Sequence, residues 1–444
     1  MYLKHSGGTG TAPAAYPPSI SQAGARPMAT ALSNIDPVVR TWPEEGFTRV
    51  PFWVYTDPRI FQREMEVIFG GRTYSYVGLE CEIPDPGDFR RTFIGDKPVV
   101  FARDLDGEVR VVANRCAHRG VKFCYHEHGN NKEFICPYHQ WTYKLDGTLI
   151  GVPFRRGVRK QGGMPDDFRM EDHGLQTLKV QVRNGVIFAS FDHTMPPLED
   201  YFGALMIRYF DRVFDGRKLR VLGYSRQRIR ANWKIKFENI KDPYHASLLH
   251  VFLVSFGLFR ADTPSKVEND ETGLHAIQAA TRGEQKVTTE NLDIRQLDPD
   301  LKLQNPDMLQ PYPEWASKGS ETVVMHTFFP NLIIQQQSNT IAMRQIRCFK
   351  PEEMELHWTF FGYEDDDEDM TLRRLRQANL MGPAGYVSVD DSEVMESCQS
   401  GISRYPDAAA VVEMGGKGTE NTPHMVTESS IRAFYKAYRE IMGL

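Results

Sequence analysis

Three long stretches of the C-terminal half mix apolar and polar residues in strand-like runs, Val323 to Phe329, Leu332 to Ile346 and Met354 to Tyr363, the last alternating strictly from Met354 to Phe360. A period of two marks strands with one buried face. The turn-forming Lys350-Pro351-Glu352-Glu353 separates the last two runs, so the three predict an antiparallel meander. Read as one strand, the middle run N-L-I-I-Q-Q-Q-S-N-T-I-A-M-R-Q is unusually polar. It places Gln335, Gln337 and Asn339 on one face and Gln336 and Ser338 on the other, with Arg344 further along. The acidic run Glu364 to Asp369 reads as a solvated loop. Beyond it Leu372, Leu375 and Ala378 make an apolar helical stripe that Gly382-Pro383 ends. Ile431, Phe434, Tyr435, Tyr438, Ile441 and Met442 fall on one face of a C-terminal helix.

The N-terminal half reads differently. From about Asp36 to Val152 the runs are short and strand-like. Val99 to Phe101 and Val109 to Val112 flank Asp106-Gly107, and Trp141 to Leu145 and Thr148 to Val152 flank Asp146-Gly147. Asp-Gly between apolar runs is a hairpin signal. The basic, glycine-rich segment Arg155 to Gly163 reads as a solvated linker whose charge suits an acidic redox partner. The expected architecture is α+β: a small β-rich domain over residues 35–160, then a larger domain of antiparallel sheet and flanking helices over 161–444. Residues 1–34, rich in Gly, Ala, Pro and Ser, are expected to be a disordered tail, or sequence upstream of a start near Met28. They lack the apolar core of a signal peptide.

Composition narrows the function classes. A net charge of −5 gives no basic footprint for nucleic acid. No apolar run approaches the roughly twenty residues that a membrane-spanning helix needs. Of six cysteines, Cys81, Cys124, Cys348 and Cys398 read as small buried hydrophobes rather than disulfides, which fits a reducing cytoplasm.

The other two cysteines carry chemistry. Cys116 and His118 stand in C-A-H-R-G; after 17 further residues, Cys136 and His139 stand in C-P-Y-H. Each loop offers one thiolate and one imidazole. A Rieske 2Fe–2S cluster needs two Cys on one iron and two His on the other. Tetrahedral zinc is the competing reading of the same four residues, although zinc motifs usually keep two like ligands in one loop. His126 and His128 lie off the ligand pattern and read as surface residues.

A second metal site lies in N-W-K-I-K-F-E-N-I-K-D-P-Y-H-A-S-L-L-H, Asn232 to His250. His245 and His250 are five apart, about 140° round an ideal helix, so they converge only if the helix ends or distorts between them. Asp242, three before His245, is placed to accept the spare imidazole N–H. It also suits a helix cap before Pro243. An acid far downstream, at Asp390-Asp391 after Gly382-Pro383-Ala384-Gly385, would complete a site of two His and one carboxylate.

With these motifs the chain resembles the large (α) subunits of Rieske non-haem iron ring-hydroxylating oxygenases, from about Trp42 to Leu444. The resemblance implies a helix-grip-like catalytic domain and mononuclear Fe(II) held by His245, His250 and Asp391, with Asp390 a surface or capping acid. It implies that Asp242 bridges His245 to His139 of a neighbouring chain, and so a head-to-tail trimer. Small β subunits (α3β3), a ferredoxin and an NAD(P)H-dependent reductase are the implied partners. T-W-P-E-E-G-F-T-R-V-P-F-W-V-Y-T, F-R-R-G-V and G-G-M-P are most similar to the salicylate 5-hydroxylase branch, with anthranilate and terephthalate dioxygenases further off. That implies O2-dependent hydroxylation of an aromatic carboxylate, salicylate to gentisate. The alternative is cis-dihydroxylation of a benzoate, anthranilate or terephthalate-like ring. Ser400, where terephthalate enzymes place Arg, argues against a second, para carboxylate. Arg344, for a carboxylate, and Gln337, for a phenol or amine, are the candidate substrate contacts. Arg344 paired with a structural acid is the competing reading.

Overall fold

A computed structural model describes residues 40–281, 298, 300, 301, 304 and 321–444. The expected tail at 1–34 lies outside the described residues. Among the described residues no helix is long and apolar enough to cross a membrane.

The β-rich part begins with β1 (Ser75–Leu79). A four-stranded antiparallel sheet follows, built from β2 (Asp88–Ile94), β3 (Lys97–Arg103), β4 (Val109–Ala113) and β5 (His128–Asn130) in the order β4-β3-β2-β5. A smaller sheet holds β6 (Phe134–Ile135), β7 (Thr142–Tyr143) and β8 (Leu149–Gly151). Both expected hairpins form, and each Asp-Gly pair supplies a left-handed glycine, Gly107 (φ +89°) and Gly147 (φ +92°). Phe89, Val100, Phe123, Phe134, Trp141 and Tyr143 form a core that also encloses Cys116 and Cys136. β9 (Lys179–Arg183) pairs with β10 (Val186–Ser190), which pairs back onto β1.

The larger part centres on seven antiparallel strands. They are β11 (Leu219–Ile229), β12 (Ser265–Asn269), β13 (Ala276–Ala280), β14 (Val323–Phe328), β15 (Leu332–Gln337), β16 (Thr340–Lys350) and β17 (Glu353–Tyr363). Their order is β11-β17-β16-β15-β14-β13-β12. Alternation sorts their side chains. Ile277, Val324, Ile334 and Met343 pack against Phe202, Met206 and Phe210 of a helix at Leu198–Val213. Gln278, Met325, Gln337 and Arg344, at alternate positions of the same strands, line a cavity on the other face.

Two expectations fail here, for one linked reason. The run Leu332 to Ile346 is not one strand. It breaks at Ser338-Asn339 into a two-residue hairpin, with Gln337 paired to Thr340 and Ser338 at φ +52°. Asn339 therefore leaves the face of Gln335 and Gln337, and Arg344 folds back to donate to Gln335 Oε1. The second failure is the helix α1 (Glu368–Met381), whose expected stripe points outward: Leu372 is 42% exposed and Leu375 39%. Its buried face is Met370, Arg374, Gln377 and Met381. That face is polar because it secures the hairpin. Arg374 Nη1 donates to Asn339 O at 2.8 Å, and Gln377 Oε1 accepts from Asn339 N at 2.7 Å. Arg374 also pairs with Asp366 at 2.7 and 2.9 Å, so one acid of the expected solvated run is buried. The C-terminal helix Ser429–Met442 buries Ile431, Phe434, Tyr435, Tyr438 and Met442 as expected. Cys124 and Cys348 are buried, Cys81 is intermediate, and Cys398 is exposed, against the expectation of burial.

The two parts are fastened by amide side chains. Asn331 exchanges hydrogen bonds with the Tyr76 backbone at 2.9 and 3.0 Å. Gln345 of β16 donates to Tyr76 O and Phe93 O and accepts from Thr92.

Candidate metal centres

Two short turns present the four residues of the first site. In one, Gly120 N donates to Cys116 O; in the other, Gln140 N donates to Cys136 O, both at 2.9 Å. The fourth residue after each Cys has positive φ, +75° at Gly120 and +55° at Gln140. The turns bring like to like. Cys116 and Cys136 meet side chain to side chain in the buried core. His118 and His139 lie outside them, ring centroids 4.6 Å apart. Burial first, and the neighbouring Cys116, push the Cys136 thiol up. Tyr143 Oη lies 3.2 Å from Cys116 Sγ, and Trp141 stacks on His118 at 4.7 Å. Burial and the facing His139 hold His118 below its ordinary pKa, which favours the neutral imidazole. The thiols and the imidazoles thus form separate pairs. Among the described residues only His245, His250 and Asp391 gather three such ligand atoms within 4.8 Å of one another. Segregated pairs fit a two-iron cluster better than one tetrahedral ion.

The second site hangs from the helix that precedes it in the chain, Trp233–Lys241. Asn232 caps its start, and Lys234 makes a fully buried ion pair with Glu64 at 2.7 Å. The helix stops at Asp242-Pro243. A 3₁₀ turn, Tyr244–Ser247, intervenes, and His250 (ψ +77°) stands before a second short helix, Val251–Ser255. This is the break that the five-residue spacing required, and the two rings end 5.2 Å apart. Asp391 arrives on the helix Tyr386–Ile402. The close return from the preceding helix needs Gly385, where a Cβ would meet Leu380 O at 2.0 Å. Asp391 Oδ1 then lies 3.4 Å from Nε2 of both His245 and His250.

Electrostatics hold this triad. Burial works against the charge of Asp391, but Lys236 and both histidines keep its carboxyl well below the usual range. Burial also opposes charge on His245, yet Asp242 and Asp391 lift it to about 10. Asp242 Oδ2 is 3.3 Å from His245 Nδ1, while its Oδ1 accepts from the backbone N–H groups of Tyr244 and His245. Asp242 therefore caps the turn through one oxygen and sets the other beside the imidazole. Two imidazoles, one buried carboxylate and an acid behind an imidazole suit a mononuclear iron.

Several contributors were not legible as such. Asp390, read as a surface or capping acid, has Oδ2 3.5 Å from His250 Nδ1. Asn239 donates to Asp391 Oδ1 at 3.0 Å, and Lys236 Nζ stands 3.6 Å from Oδ2. The three-residue steps Lys236, Asn239, Asp242 were the available signal, a polar stripe on one helical face.

A cavity with about 900 Å³ of open space, mouth included, joins the triad to the sheet. Arg344 and Gln337 both line it. Arg344 is buried, rests on Trp358 at 4.3 Å, and has no carboxylate within ion-pair distance among the described residues. The structural-acid reading of Arg344 thus finds no partner there. Burial pulls its pKa down to about 10, with Asp391 opposing. Ser400 is exposed on its helix and does not line the cavity, so it has no bearing on ring substituents there. His126 and His128 are exposed, as expected.

Comparison with known proteins agrees with this geometry. The family described as "Rieske [2Fe-2S] domain" matches residues 73–161, and "Ring hydroxylating alpha subunit (catalytic domain)" matches 216–444. The chain belongs to the ring-hydroxylating oxygenase α subunits. Like its relatives it is a Rieske terminal oxygenase of aromatic ring hydroxylation, and its cofactors are a 2Fe–2S cluster and a non-haem iron. The large oxygenase component of salicylate 5-hydroxylase from Ralstonia sp. is 50% identical over 419 residues, 93% of this chain and 98% of the relative. The large subunit of anthranilate 1,2-dioxygenase from Burkholderia cepacia is 41% identical over 407 residues, 90% and 95% of the two chains. Naphthalene 1,2-dioxygenase from Rhodococcus sp. bound to indole superposes with a TM-score of 0.70 at 25% identity, over 89% of this α subunit and 94% of that chain.

Proposed function

We propose that this oxygenase hydroxylates an aromatic carboxylate, salicylate to gentisate, with O2 and with electrons drawn from NAD(P)H through a reductase and a ferredoxin. The observation that carries the carboxylate is Arg344, a buried guanidinium without a carboxylate partner among the described residues, in the same cavity as the triad. A bidentate guanidinium–carboxylate pair would satisfy it and orient the ring. Identity to the salicylate 5-hydroxylase component supports the choice of acid. A second reading, cis-dihydroxylation of a benzoate- or anthranilate-like ring, has the 41% identity to the anthranilate enzyme in its favour.

In this proposal Cys116, His118, Cys136 and His139 hold the cluster, and His245, His250 and Asp391 hold the iron. When bound, the cluster supplies single electrons and the iron activates dioxygen. The chain's own residues do the rest. Arg344 binds the carboxylate, and Gln337 contacts a phenol or amine. Ile240, Leu258, Phe259, Val323 and Met325 wall the cavity with apolar surface and limit water. Asp242 fixes the tautomer of His245 by holding the Nδ1 proton. Asp390 is placed to do the same for His250.

We further propose a head-to-tail trimer, in which Asp242 of one chain meets His139 of the next, with or without small β subunits. The domains are assigned as 35–160 for the cluster and 161–444 for the iron. Product analysis with a reconstituted electron chain tests the reaction. Gentisate from salicylate supports it; a cis-diol from benzoate or anthranilate, with salicylate untouched, selects the second reading.

A further inference from the structure

The sheet wall of the cavity carries a second buried donor that the proposed reaction does not use. Gln278 stands in the middle of β13, is 7% exposed, and lines the same cavity as His245, His250 and Asp391. Its Nε2 is buried and has no hydrogen-bond partner among the described residues. Its cross-strand neighbours cannot supply one, because they are Val267 on β12 and Met325 on β14. Buried polar atoms in folded proteins are almost always met, so an unmet donor facing a cavity points to something that enters it. Water serves until a ligand displaces it, and the ligand must then replace the bond.

Register separates this donor from Arg344. Gln278 pairs with Met325, Met325 with Gln335, and Gln335 with Ala342 on β16, two residues before Arg344. Three strand spacings put the backbones of β13 and β16 about 14 Å apart across the sheet. Arg344 itself keeps a buried Nε without a hydrogen-bond partner among the described residues. Among the described residues, the strands that wall the cavity therefore offer two unmet donors, with Met325 on a strand between them. One matches a carboxylate and the other a neutral acceptor.

We infer that Gln278 is a specificity-determining residue, its amide N–H donating to a second ring substituent, a hydroxyl or carbonyl oxygen distinct from the carboxylate at Arg344. This rests on the aromatic-carboxylate reading and narrows it to ring acids that carry a second acceptor. A benzoate with no such group leaves Nε2 unmet. A site built around a donor discriminates strongly against an analogue that lacks the acceptor.

Titration calorimetry on the metal-loaded protein tests this, because it reads binding without turnover. Benzoate and its 2-, 3- and 4-hydroxy derivatives are titrated into wild type, Gln278→Met and Arg344→Met. In wild type at least one hydroxybenzoate should bind roughly tenfold tighter than benzoate. In Gln278→Met the ratio should fall to about one, with benzoate affinity kept. An unchanged ratio in that variant, with every acid still dependent on Arg344, overturns the inference and leaves the carboxylate reading standing. Acids that bind wild type and Arg344→Met alike, or bind neither, overturn both. Should Gln278→Met fail to show the cluster absorption and thermal transition of wild type, Gln278→Asn withdraws the donor by one methylene and serves the same comparison.

Discussion

Asp242 and His245 are joined twice: Oδ1 accepts the His245 backbone N–H at 3.4 Å, and Oδ2 lies 3.3 Å from its ring Nδ1. One carboxylate thus closes the turn after a helix and orients the ring that the turn presents. Asp242→Asn keeps an oxygen for the turn but not the charge behind the imidazole. Its thermal stability should stay within about 1 kcal/mol of wild type, as for an exchanged cap. Turnover should fall by about 10–100-fold, the range for loss of such a supporting carboxylate. The cluster should still accept electrons from dithionite at the wild-type rate. Normal turnover would refute the proposed path from His139 of a neighbouring chain.

Removing the charge of Arg344 separates binding from stability. A buried guanidinium without an ionic partner is costly to keep, so Arg344→Met should leave the unfolding midpoint unchanged or raise it. KM for the aromatic acid should rise about 100-fold, as expected when a charged hydrogen bond worth roughly 2–3 kcal/mol is lost. A large loss of stability with unchanged KM would make Arg344 structural.

Asp366 and Arg374 form a pair whose side chains are almost wholly buried. Asp366→Ala strands the guanidinium and should destabilise the protein by about 3–5 kcal/mol in denaturant titration. Because Arg374 also holds Asn339 O, substrate affinity should weaken as well, through Ser338 at the cavity wall.

How much of this was legible follows from the range of each signal. Cys116 with His118 and Cys136 with His139 act within single turns, so spacing alone revealed them. His245 and His250 needed a break between them, which their spacing demanded but no residue between them marked. Asp391 required chain return over a large loop, and only resemblance selected it over Asp390. The hairpin at Ser338-Asn339 was hidden because it lies in an unbroken polar run, Gln335 to Thr340, with no Gly or Pro to mark a turn. Leu372 and Leu375 misled because hydrophobicity was taken as burial, whereas that helix buries Arg374 and Gln377 to secure the hairpin. Gln278 gave no local signal, since a single amide in a strand acquires meaning only from the cavity it faces.

Lys241 sets a pH dependence of stability. Its ammonium is fully buried, has no hydrogen-bond partner among the described residues, and is pulled down by burial to about 7, with Asp270 opposing. The folded pKa is depressed below the unfolded one, so the unfolded chain binds more protons between about pH 7 and 10. Stability from this group is therefore full at high pH, is lost as pH falls toward 7, and is flat below. Lys241→Met should stabilise the protein on the order of 3 kcal/mol at pH 7, and the gain should fade toward pH 10. Thermal unfolding of both proteins across that range checks it; a gain independent of pH would contradict it.

The most direct measurement is iron and acid-labile sulfide, with the visible spectrum, on wild type, Asp391→Ala and Cys136→Ser. Wild type should hold the two irons and two sulfides of the cluster and a further iron. Asp391→Ala should lose only the further iron and keep the Rieske spectrum, while Cys136→Ser should lose the sulfide and the colour. Loss of the cluster in Asp391→Ala, or a single zinc and no sulfide in wild type, would contradict two centres held by these residues.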